Sequence, residues 1–375
     1  MIVGSSPGAS CRVVDLPAYE RMSIPDEVLD CVHSRVVVLK PNISTRSPAS
    51  YTHPAVIRAL ADALRRRGAE VIIGEGMHLT HFKQLVLKST GYQALLADYS
   101  FVDLEKEPYA AVRTAHPALP EIAVPRILLR PDVSIVNVPK LKTHLMTFYT
   151  GPVKNISMGV VAQHSRALMH RLAGNDFHLL GELLVDAYLA LRERVALTVV
   201  DAGEIMEGDG PTFGRGRWLG KLLCGPTVEV EWLCARLLGA ERTPVPLALS
   251  RRRPMQAASL PALAAIGVRG PSTYGRSLLA RLPAWTNVDY WASVVLGRVL
   301  ISRAWHRVRI DERKCVACRT CLEHCPSGAI GPDLTIVDER CNRCLSCLEN
   351  CPQQAIAVRT SRLMRLLNRV GGYVY

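Results

Sequence analysis

The chain has 375 residues, 49% of them hydrophobic, which is enough to bury the cores of two or three domains. It contains no apolar run of the roughly 18 residues that a membrane-spanning helix needs, and its first residues lack the basic and apolar stretches of a secretory signal. We therefore expect a cytoplasmic protein. The formal net charge of +13 favours acidic partners. The arginines are dispersed along the chain, however, and form no basic stripe interleaved with aromatic residues, so we expect no nucleic-acid partner.

After an N-terminal extension of residues 1–34, residues 35–273 alternate between strand and helix patterns. The strand patterns cover residues 35–40, 71–73, 133–138 and 197–200, and the helix patterns cover residues 53–67, 165–171 and 179–192. Such alternation is typical of α/β proteins, in which ligands bind at the carboxyl ends of parallel strands. We predict an α/β domain with a mostly parallel sheet and helices on both faces.

Charged and amide residues collect after three of these strands, where the pattern predicts loops. The candidate binding residues there are Lys40, Asn42, Lys140, Lys142, His144, Lys154, Asn155, Glu207 and Asp209. A further turn, Gly74-Glu75-Gly76, follows another strand, and a tight turn explains its glycines better than a phosphate site does.

The lysines are unevenly distributed. The chain has nine lysines among its 46 basic residues, yet three fall within residues 140–154, where a random distribution would place fewer than one. Lysine titrates on burial more readily than arginine, so we predict catalytic roles for Lys142 and Lys154 and cofactor or substrate binding by Lys40 and Lys140. The alternative is a solvated loop whose lysines cap carbonyl groups.

Three further residues have two interpretations each. His144 is the best candidate for a proton donor near neutral pH, or it belongs to a loop hydrogen-bond network. Glu207 and Asp209 lie in a segment rich in glycine that either binds a cation or forms a turn. Both interpretations stay open.

Four segments of this region occur in the order of a known family: VVVLKPNIS, THPAVIRALADALRRRGAEVIIGEG, DVSIVNVPKLKTHLMTFYTGPVKNISMGV and VVDAGEIMEGDGP. Over roughly residues 35–270 the chain resembles the family called domain of unknown function 362. The resemblance implies a bacterial or archaeal iron–sulfur-centre protein, often with a ferredoxin module after the α/β domain. Glu231 stands where the family has an aspartate, with Trp232 beside it, and this departure predicts a reshaped pocket.

A fainter resemblance is to the nickel-pincer lactate racemases. They also place a histidine ten residues before a lysine in a glycine-containing loop, as His144 and Lys154 are placed here. Their further histidine has His164 and His170 as candidate counterparts. Where that family has Ser-Gly-Gly, this chain has Thr-Gly-Pro. The resemblance implies a shared sheet architecture and loop position.

Residues 308–358 contain two copies of the pattern CxxCxxCxxxCP, 26 residues apart. In such a pattern three cysteines bind one 4Fe–4S cluster and the fourth binds the other cluster. We predict two 4Fe–4S clusters, one on Cys315, Cys318, Cys321 and Cys351, the other on Cys341, Cys344, Cys347 and Cys325. Zinc knuckles are the alternative, but zinc sites use paired cysteines. The pattern indicates a small α+β two-cluster ferredoxin-like domain.

Two segments flank the cysteine-rich region. Residues 274–307 are a predicted helical linker with Trp285, Trp291 and Trp305, and residues 359–375 form a predicted basic amphipathic tail. Such a helix can lie in the headgroup layer of an anionic membrane. That interpretation implies peripheral contact with the inner face of the membrane and a lipid-like substrate. The alternative is that both segments pack on the body and brace the clusters.

Together these patterns predict a redox enzyme. Electrons would pass from a low-potential, ferredoxin-like donor to the clusters, and then to an unknown small-molecule substrate in the α/β domain, where the lysines stabilise negative charge. Residues 308–358 carry six basic and seven acidic residues, a balance that favours an internal relay over a diffusing carrier. A non-catalytic electron-transfer or assembly partner and a cluster-based sensor are the alternatives, which fold analogy does not separate.

Overall fold

The computed structural model describes residues 11–43, 49–76, 87–174, 176–211, 213–253, 260–271 and 306–360. The predicted linker and tail lie outside these ranges, apart from residues 306–307 and 359–360, so their helices and their membrane contact stay predictions. In the described ranges, no helix has the length and apolar character needed to cross a membrane.

The described chain folds as strands and helices that alternate over most of its length. The strands are β1 (Arg12–Asp15), β2 (Val36–Pro41), β3 (Glu70–Glu75), β4 (Ser100–Asp103), β5 (Tyr109–His116), β6 (Leu119–Pro125), β7 (Val133–Val138), β8 (Lys140–His144), β9 (Phe148–Thr150), β10 (Val195–Asp209), β11 (Phe213–Gly225), β12 (His306–Ile310) and β13 (Ile356–Thr360). The helices are α1 (Pro54–Arg66), α2 (Tyr92–Leu95), α3 (Pro152–Gly159), α4 (Gln163–Ala173), α5 (Phe177–Leu191), α6 (Thr227–Leu238), α7 (Pro244–Arg252), α8 (Thr320–Glu323) and α9 (Ser346–Glu349).

A mixed sheet of nine strands organises the body, in the order β1-β11-β10-β7-β2-β3-β4, with β8 beside β10 and β9 beside β8. The pairs β10–β7, β7–β2, β2–β3 and β3–β4 are parallel, whereas β11 pairs antiparallel with both β10 and β1. β5 and β6 form a separate hairpin. The sheet is therefore mostly parallel, as the alternating patterns predict.

Helical layers cover both faces of this sheet. Successive side chains of a strand point to opposite faces, and β2 is apolar on both: Val36 and Val38 pack into the core cluster that contains α4 and α5, while Val37 and Leu39 pack into the cluster that contains α1 and α2. A strand buried on both faces explains the continuous apolar run. The predicted α/β class is confirmed.

Helix α1 shows how local sequence sets an element's ends. The side chain of His53 caps the helix by accepting a hydrogen bond from the backbone N–H of Ala55 at 3.3 Å, and Pro54 occupies the first turn, where no N–H partner is needed. The helix ends before Gly68, whose φ of +85° favours glycine.

The charged segments predicted as loops are strands. Residues 140–144 form β8 between β10 and β9, and residues 201–209 continue β10 into a long hairpin with β11. The backbone polar groups of a buried segment need partners, and the neighbouring strands supply them. The loop prediction for these segments was wrong, although both segments do follow the carboxyl ends of the central strands.

The N-terminal extension contributes to the body. β1 extends the large sheet by pairing with β11. The Tyr19 hydroxyl donates to Asp201 at 2.8 Å, and its ring stacks on His53 with centroids 3.8 Å apart. Residues before the family region therefore contact the centre of the sheet.

The cysteine-rich region folds around the antiparallel pair β12–β13 and the short helices α8 and α9. Its apolar residues, Leu345 and Leu348 among them, join the core cluster of the α4–α5 face. Arg171 Nε donates to the carbonyl of Pro326 at 3.1 Å, and Asn342 Nδ2 donates to that of His170 at 3.4 Å. The module thus packs directly on α4.

Candidate functional site

A cavity of about 110 Å³ lies where the body meets the cysteine-rich module. Its lining residues from the body include Lys40, Asn42, Glu75, Lys142, His144, Lys154, Asn155, Arg166 and His170, and those from the module are His324, Ser346 and Asn350. The cavity therefore combines residues that follow the sheet's parallel strands with residues from between the cysteines.

Lys40 is buried in the cavity wall at 1% exposure. Its amine donates to Glu75 Oε1 at 2.5 Å and to the carbonyl of Pro41 at 2.7 Å, while Glu75 Oε2 accepts from the backbone N–H of Ile43. Burial lowers the pKa of Lys40, and the Glu75 carboxylate opposes this shift. A side chain at Gly159 would put its Cβ 2.7 Å from the Lys40 amine, so this close approach needs glycine.

A chain of amide groups orients Lys142. Its amine donates to Asn42 Oδ1 at 2.7 Å and to the carbonyl of Ser50 at 2.5 Å. Asn42 Nδ2 then donates to Asn155 Oδ1 at 3.0 Å, and Asn155 Nδ2 donates to Asn137 Oδ1 at 2.8 Å. Each amide accepts from one neighbour and donates to the next, which fixes the lysine on the cavity wall.

His144 and Lys154 form a direct pair, with Nε2 and Nζ 2.5 Å apart. The backbone N–H of Met146 donates to Nδ1 of the same imidazole at 3.1 Å. A neutral imidazole has one N–H, so with Nδ1 accepting from Met146 the ring proton belongs on Nε2, which faces the amine of Lys154.

Arg166 is a further basic group of the wall, beside the lysines. It donates to the carbonyl of Val161 at 2.7 Å and pairs with Glu105. Burial lowers the pKa of Arg166, and Glu105 opposes the shift. Lys40 and Arg166 each face a carboxylate, whereas Lys142 donates to neutral oxygens. Among the described lining residues Glu75 is the one acid, so the wall is basic in balance.

The module closes the cavity with residues next to three of its cysteines. His324 precedes Cys325, Ser346 precedes Cys347, and Asn350 precedes Cys351. His324 Nδ1 donates to the carbonyl of Thr320 at 2.8 Å, and Ser346 Oγ donates to the carbonyl of His324 at 3.3 Å. These bonds hold the cavity-lining residues to the two cysteine-bearing turns.

The eight cysteines of the module form two groups, each with one member from the other copy. One small cavity is lined together by Cys315, Cys318, Cys321 and Cys351. Burial raises the pKa of Cys321 to about 11, and nearby Cys351 adds to the shift. Around Cys347, whose pKa burial also raises, the neighbouring thiols include Cys344, Cys341 and Cys325.

The two copies also share their backbone. Residues with φ of +52° to +61° recur 26 residues apart, as Ala317 with Arg343 and as Arg319 with Leu345. The backbone N–H groups of Ala329 and Ala355 donate to Cys325 Sγ and Cys351 Sγ, each at 3.2 Å. In the described ranges no three His, Cys, Asp or Glu side chains are close enough for one metal ion. A 4Fe–4S cluster, held by thiolates around a cube, does not need them to be.

The body matches the family model "Domain of unknown function (DUF362)" over residues 37–235, more than half of the chain. The chain belongs to this family. The module matches the model of the 4Fe-4S binding domain over residues 308–331. The DUF362 domain is thus followed by an iron–sulfur module of the ferredoxin type, with a role in electron transfer.

The chain also resembles solved structures, among them the following one. A crystal structure of a Thermotoga maritima protein, a Northeast Structural Genomics Consortium target, has 17% sequence identity and a TM-score of 0.39. The match covers 60% of this chain and 60% of the length of that one. No curated protein matches the chain.

Most of the predicted binding residues of the DUF362 domain lie together. Lys40, Asn42, Lys142, His144, Lys154 and Asn155 line the cavity, and Lys140, Glu207 and Asp209 are not among its lining residues. Of the two histidines compared with the racemases, His170 lines the cavity, whereas the ring of His164 lies edge-on to Tyr109.

Lys140 forms a buried ion pair away from the cavity lining. Its amine donates to Asp201 Oδ2 at 2.9 Å and to the Tyr19 hydroxyl at 3.0 Å, with the lysine and the aspartate both buried. Asp201 also accepts from the backbone N–H of His53 at 2.8 Å. The ion pair joins the N-terminal extension, β8 and β10.

Glu207 and Asp209 lie in the β10–β11 hairpin. Glu207 Oε2 accepts from the backbone N–H of Arg269 at 3.0 Å and lies 3.7 Å from Arg217. These contacts hold residues 260–271 against the hairpin, and the turn and cation interpretations of this segment both stay open.

Glu231, where the sequence departs from the family pattern, binds the first turn of a helix that carries cavity-lining residues. Its Oε2 accepts from the backbone N–H of Val153, in the first turn of α3, at 2.8 Å, and its Oε1 accepts from the Tyr149 hydroxyl. Burial raises the pKa of Glu231 to about 7, and these two hydrogen bonds oppose the shift. Helix α3, which carries Lys154 and Asn155, is thus capped by a side chain from α6.

Sequence reasoning missed Arg166, Glu75 and the three module residues. Arg166 is one of 37 arginines, and nothing local distinguishes it. Glu75 does have a signal, since it lies between the glycines of Gly74-Glu75-Gly76; the tight turn predicted there was wrong, because Gly74 and Glu75 are the last residues of β3. The module residues are visible only through the packing of the two domains.

Proposed function

We propose that the protein is an iron–sulfur reductase that acts on a small anionic substrate bound between the DUF362 domain and the module. One observation carries this proposal: a cavity is lined by the basic residues of the DUF362 domain and by residues adjacent to Cys325, Cys347 and Cys351. A substrate in that cavity would lie beside a cysteine group that can hold a cluster.

We assign two 4Fe–4S clusters to the module. The donor set fits, because eight thiols form two groups of four and backbone N–H groups point at two of the sulfurs. The first cluster would be held by Cys315, Cys318, Cys321 and Cys351, the second by Cys341, Cys344, Cys347 and Cys325. When bound, the clusters supply one-electron transfer from a low-potential donor.

Substrate binding falls to the basic wall. Lys142 supplies positive charge at the cavity wall, where its hydrogen bonds to Asn42 and Ser50 hold the amine in place. Preorganised donors of this kind stabilise charge that develops on a substrate. Because the wall consists of charged and amide side chains, a lipid-like substrate would enter by its polar end.

Proton supply falls to His144 and Lys154. The geometry of the pair favours a proton on His144 Nε2, directed at the amine of Lys154. Reduction of most organic or oxyanionic groups consumes protons together with electrons. The amine of Lys154 takes up a proton from solvent, gives it to the substrate as an ammonium group, and returns to the neutral amine. The packed module limits access of water to this pair.

The test uses protein prepared without oxygen and reduced with dithionite. Small molecules from a cell extract are divided by ion exchange into anionic and cationic fractions, and reoxidation of the protein is followed by visible absorbance. We expect the anionic fraction to reoxidise the wild type and to act much more slowly on Lys154→Met, while the exposed-site control Lys106→Met behaves as wild type. If neither fraction has any effect, the reductase assignment is wrong and a non-catalytic electron-transfer role remains.

A further inference from the structure

The two halves of the module have the same backbone and different surroundings. Ala317 and Arg319 in the first half match Arg343 and Leu345 in the second, each pair with nearly equal positive φ. Because the loops between the cysteines are built alike, differences in their side chains reflect what each loop faces.

The second loop faces the DUF362 domain. Leu345 is 3% exposed and belongs to the core cluster of the α4–α5 face. Asn342 donates to the carbonyl of His170 on α4. This half of the module is an internal interface.

The first loop faces solvent. Val316, at the position of Asn342, is 58% exposed, one of the large hydrophobic side chains that the described surface exposes most. Arg319, at the position of the buried Leu345, is exposed, and so are Arg313 and Lys314. Val316 and Arg319 line the small cavity shared by Cys315, Cys318, Cys321 and Cys351.

We propose that this loop, residues 313–319, is the docking surface for a small acidic one-electron carrier protein. The inference rests on the proposed function and adds the place and charge of the donor's contact. An exposed apolar residue with three exposed cations in the same seven-residue loop is complementary to an acidic surface with an apolar centre. The chain's net charge of +13 steers the same partner toward it.

The size of the loop fits a transient encounter. Redox partners commonly bury less than about 1,200 Å² in total, and a footprint centred on one loop suits that range. In each encounter the carrier loses one electron and the protein gains one, with no bond made or broken and no proton transferred. The exposed loop therefore receives the electrons, while residues next to Cys325, Cys347 and Cys351 line the cavity.

The experiment measures binding, so it does not depend on turnover. A fluorescently labelled acidic bacterial ferredoxin is titrated anaerobically with the iron-loaded full chain at low and high salt, with basic cytochrome c as the contrasting probe. The test variant combines Arg313→Glu, Lys314→Glu and Arg319→Glu. The control variant, with the same change in net charge, combines Arg66→Glu, Arg113→Glu and Arg215→Glu at exposed positions outside the module.

We expect the test variant to bind ferredoxin at least about tenfold more weakly than the wild type, the control variant to stay within about twofold, and high salt to weaken wild-type binding. If the triple variant loses its iron, Arg313→Glu with Lys314→Glu is used, since neither position has positive φ. Equal ferredoxin affinity of wild type and test variant, or cytochrome c binding as tight as ferredoxin binding, overturns the docking surface. Dithionite still reduces every iron-loaded variant, so these results leave the test of the proposed reductase unaffected.

Discussion

Lys154 Nζ and His144 Nε2 are 2.5 Å apart across the cavity wall, and the hydrogen bond from Met146 to the other imidazole nitrogen decides which of the two carries the shared proton. The side chains of His144 and Lys154, ten residues apart in sequence, therefore form one acid–base pair. His144 is the last residue of β8, Met146 lies in the turn that follows, and Lys154 lies in the first turn of α3.

The first prediction concerns the tautomer of His144. In protein labelled with ¹⁵N-histidine, NMR should show His144 neutral, with the proton on Nε2 and a bare Nδ1, because Met146 donates to Nδ1. The resonance is assigned by its loss in His144→Gln, with His164→Gln as the control for a histidine that does not line the cavity. A proton on Nδ1 would contradict the arrangement.

The second prediction concerns the crossed cysteines. Anaerobic protein should contain about eight irons, as two 4Fe–4S clusters require. Cys351→Ala should disturb the cluster on Cys315, Cys318 and Cys321, because Cys351 lines their cavity, and Cys325→Ala should disturb the other. Electron paramagnetic resonance of the reduced variants separates the two losses.

Cys234→Ala is a matched control, since this buried cysteine lies in α6 of the body and should leave both signals intact. Stoichiometric zinc in place of iron, or damage by Cys351→Ala to the cluster of its own copy, would be incompatible with the crossed assignment.

The third prediction separates Lys140 from Lys142. Removing Lys140 leaves Asp201 buried at 0% exposure without its cation, and an uncompensated buried charge costs about 3–5 kcal/mol. Lys140→Met should therefore strongly lower the free energy of unfolding in chemical denaturation, and adding Asp201→Asn should restore part of it.

Lys221→Met provides the comparison, because Lys221 pairs with the well-exposed Asp15 and such surface pairs contribute about 0–1 kcal/mol. A loss no larger for Lys140→Met than for Lys221→Met would mean that the ion pair has no structural role and would return Lys140 to the candidate binding residues.

The fourth prediction follows from the raised pKa of Glu231. Burial raises it from 4.5 to about 7 in the folded protein, so between these values the folded state holds a proton that the unfolded state has released. Stability contributed by this group is fully present below pH 4.5 and lost as the pH rises through 7, by about 3 kcal/mol.

Glu231→Gln keeps an acceptor for the N–H of Val153 but cannot ionise, so its stability relative to the wild type should rise between pH 4.5 and 7 and then level off. Urea denaturation across this range measures the difference. Glu229→Gln, on the same helix and only partly buried, should run parallel to the wild type. Parallel curves for all three proteins would refute the prediction.

How much of this could be predicted depends on whether the signal is local. The apolar runs of β2 and β7 and the cap of α1 are local, so these elements were predicted correctly. The cysteine spacing is local too, and it indicated the iron–sulfur module that the family comparison confirmed. For residues 140–154, the functional prediction came from their high lysine content alone.

Pairing across long stretches of chain was not predictable. Lys140 and Lys142 look equivalent in sequence, yet the acceptor of one is Asp201, 61 residues away, and that of the other is Asn42, 100 residues away. Likewise β8 is a strand only because β10 and β9 lie beside it. The contribution of His324 to the cavity depends on how two domains pack, which no local pattern encodes.

The repeated loops of the module also indicate which of their positions can change independently of the rest of the chain. A duplication begins with two interchangeable halves, but here the second half must stay complementary to α4 of its own chain, so changes at Leu345 or Asn342 require matching changes in the body. Val316 and Arg319, at the matching positions of the first half, are exposed, so the described part of the body places no such requirement on them. Among relatives, substitutions at Val316 and Arg319 are therefore expected to track an external molecule, while those at the equivalent positions track the body.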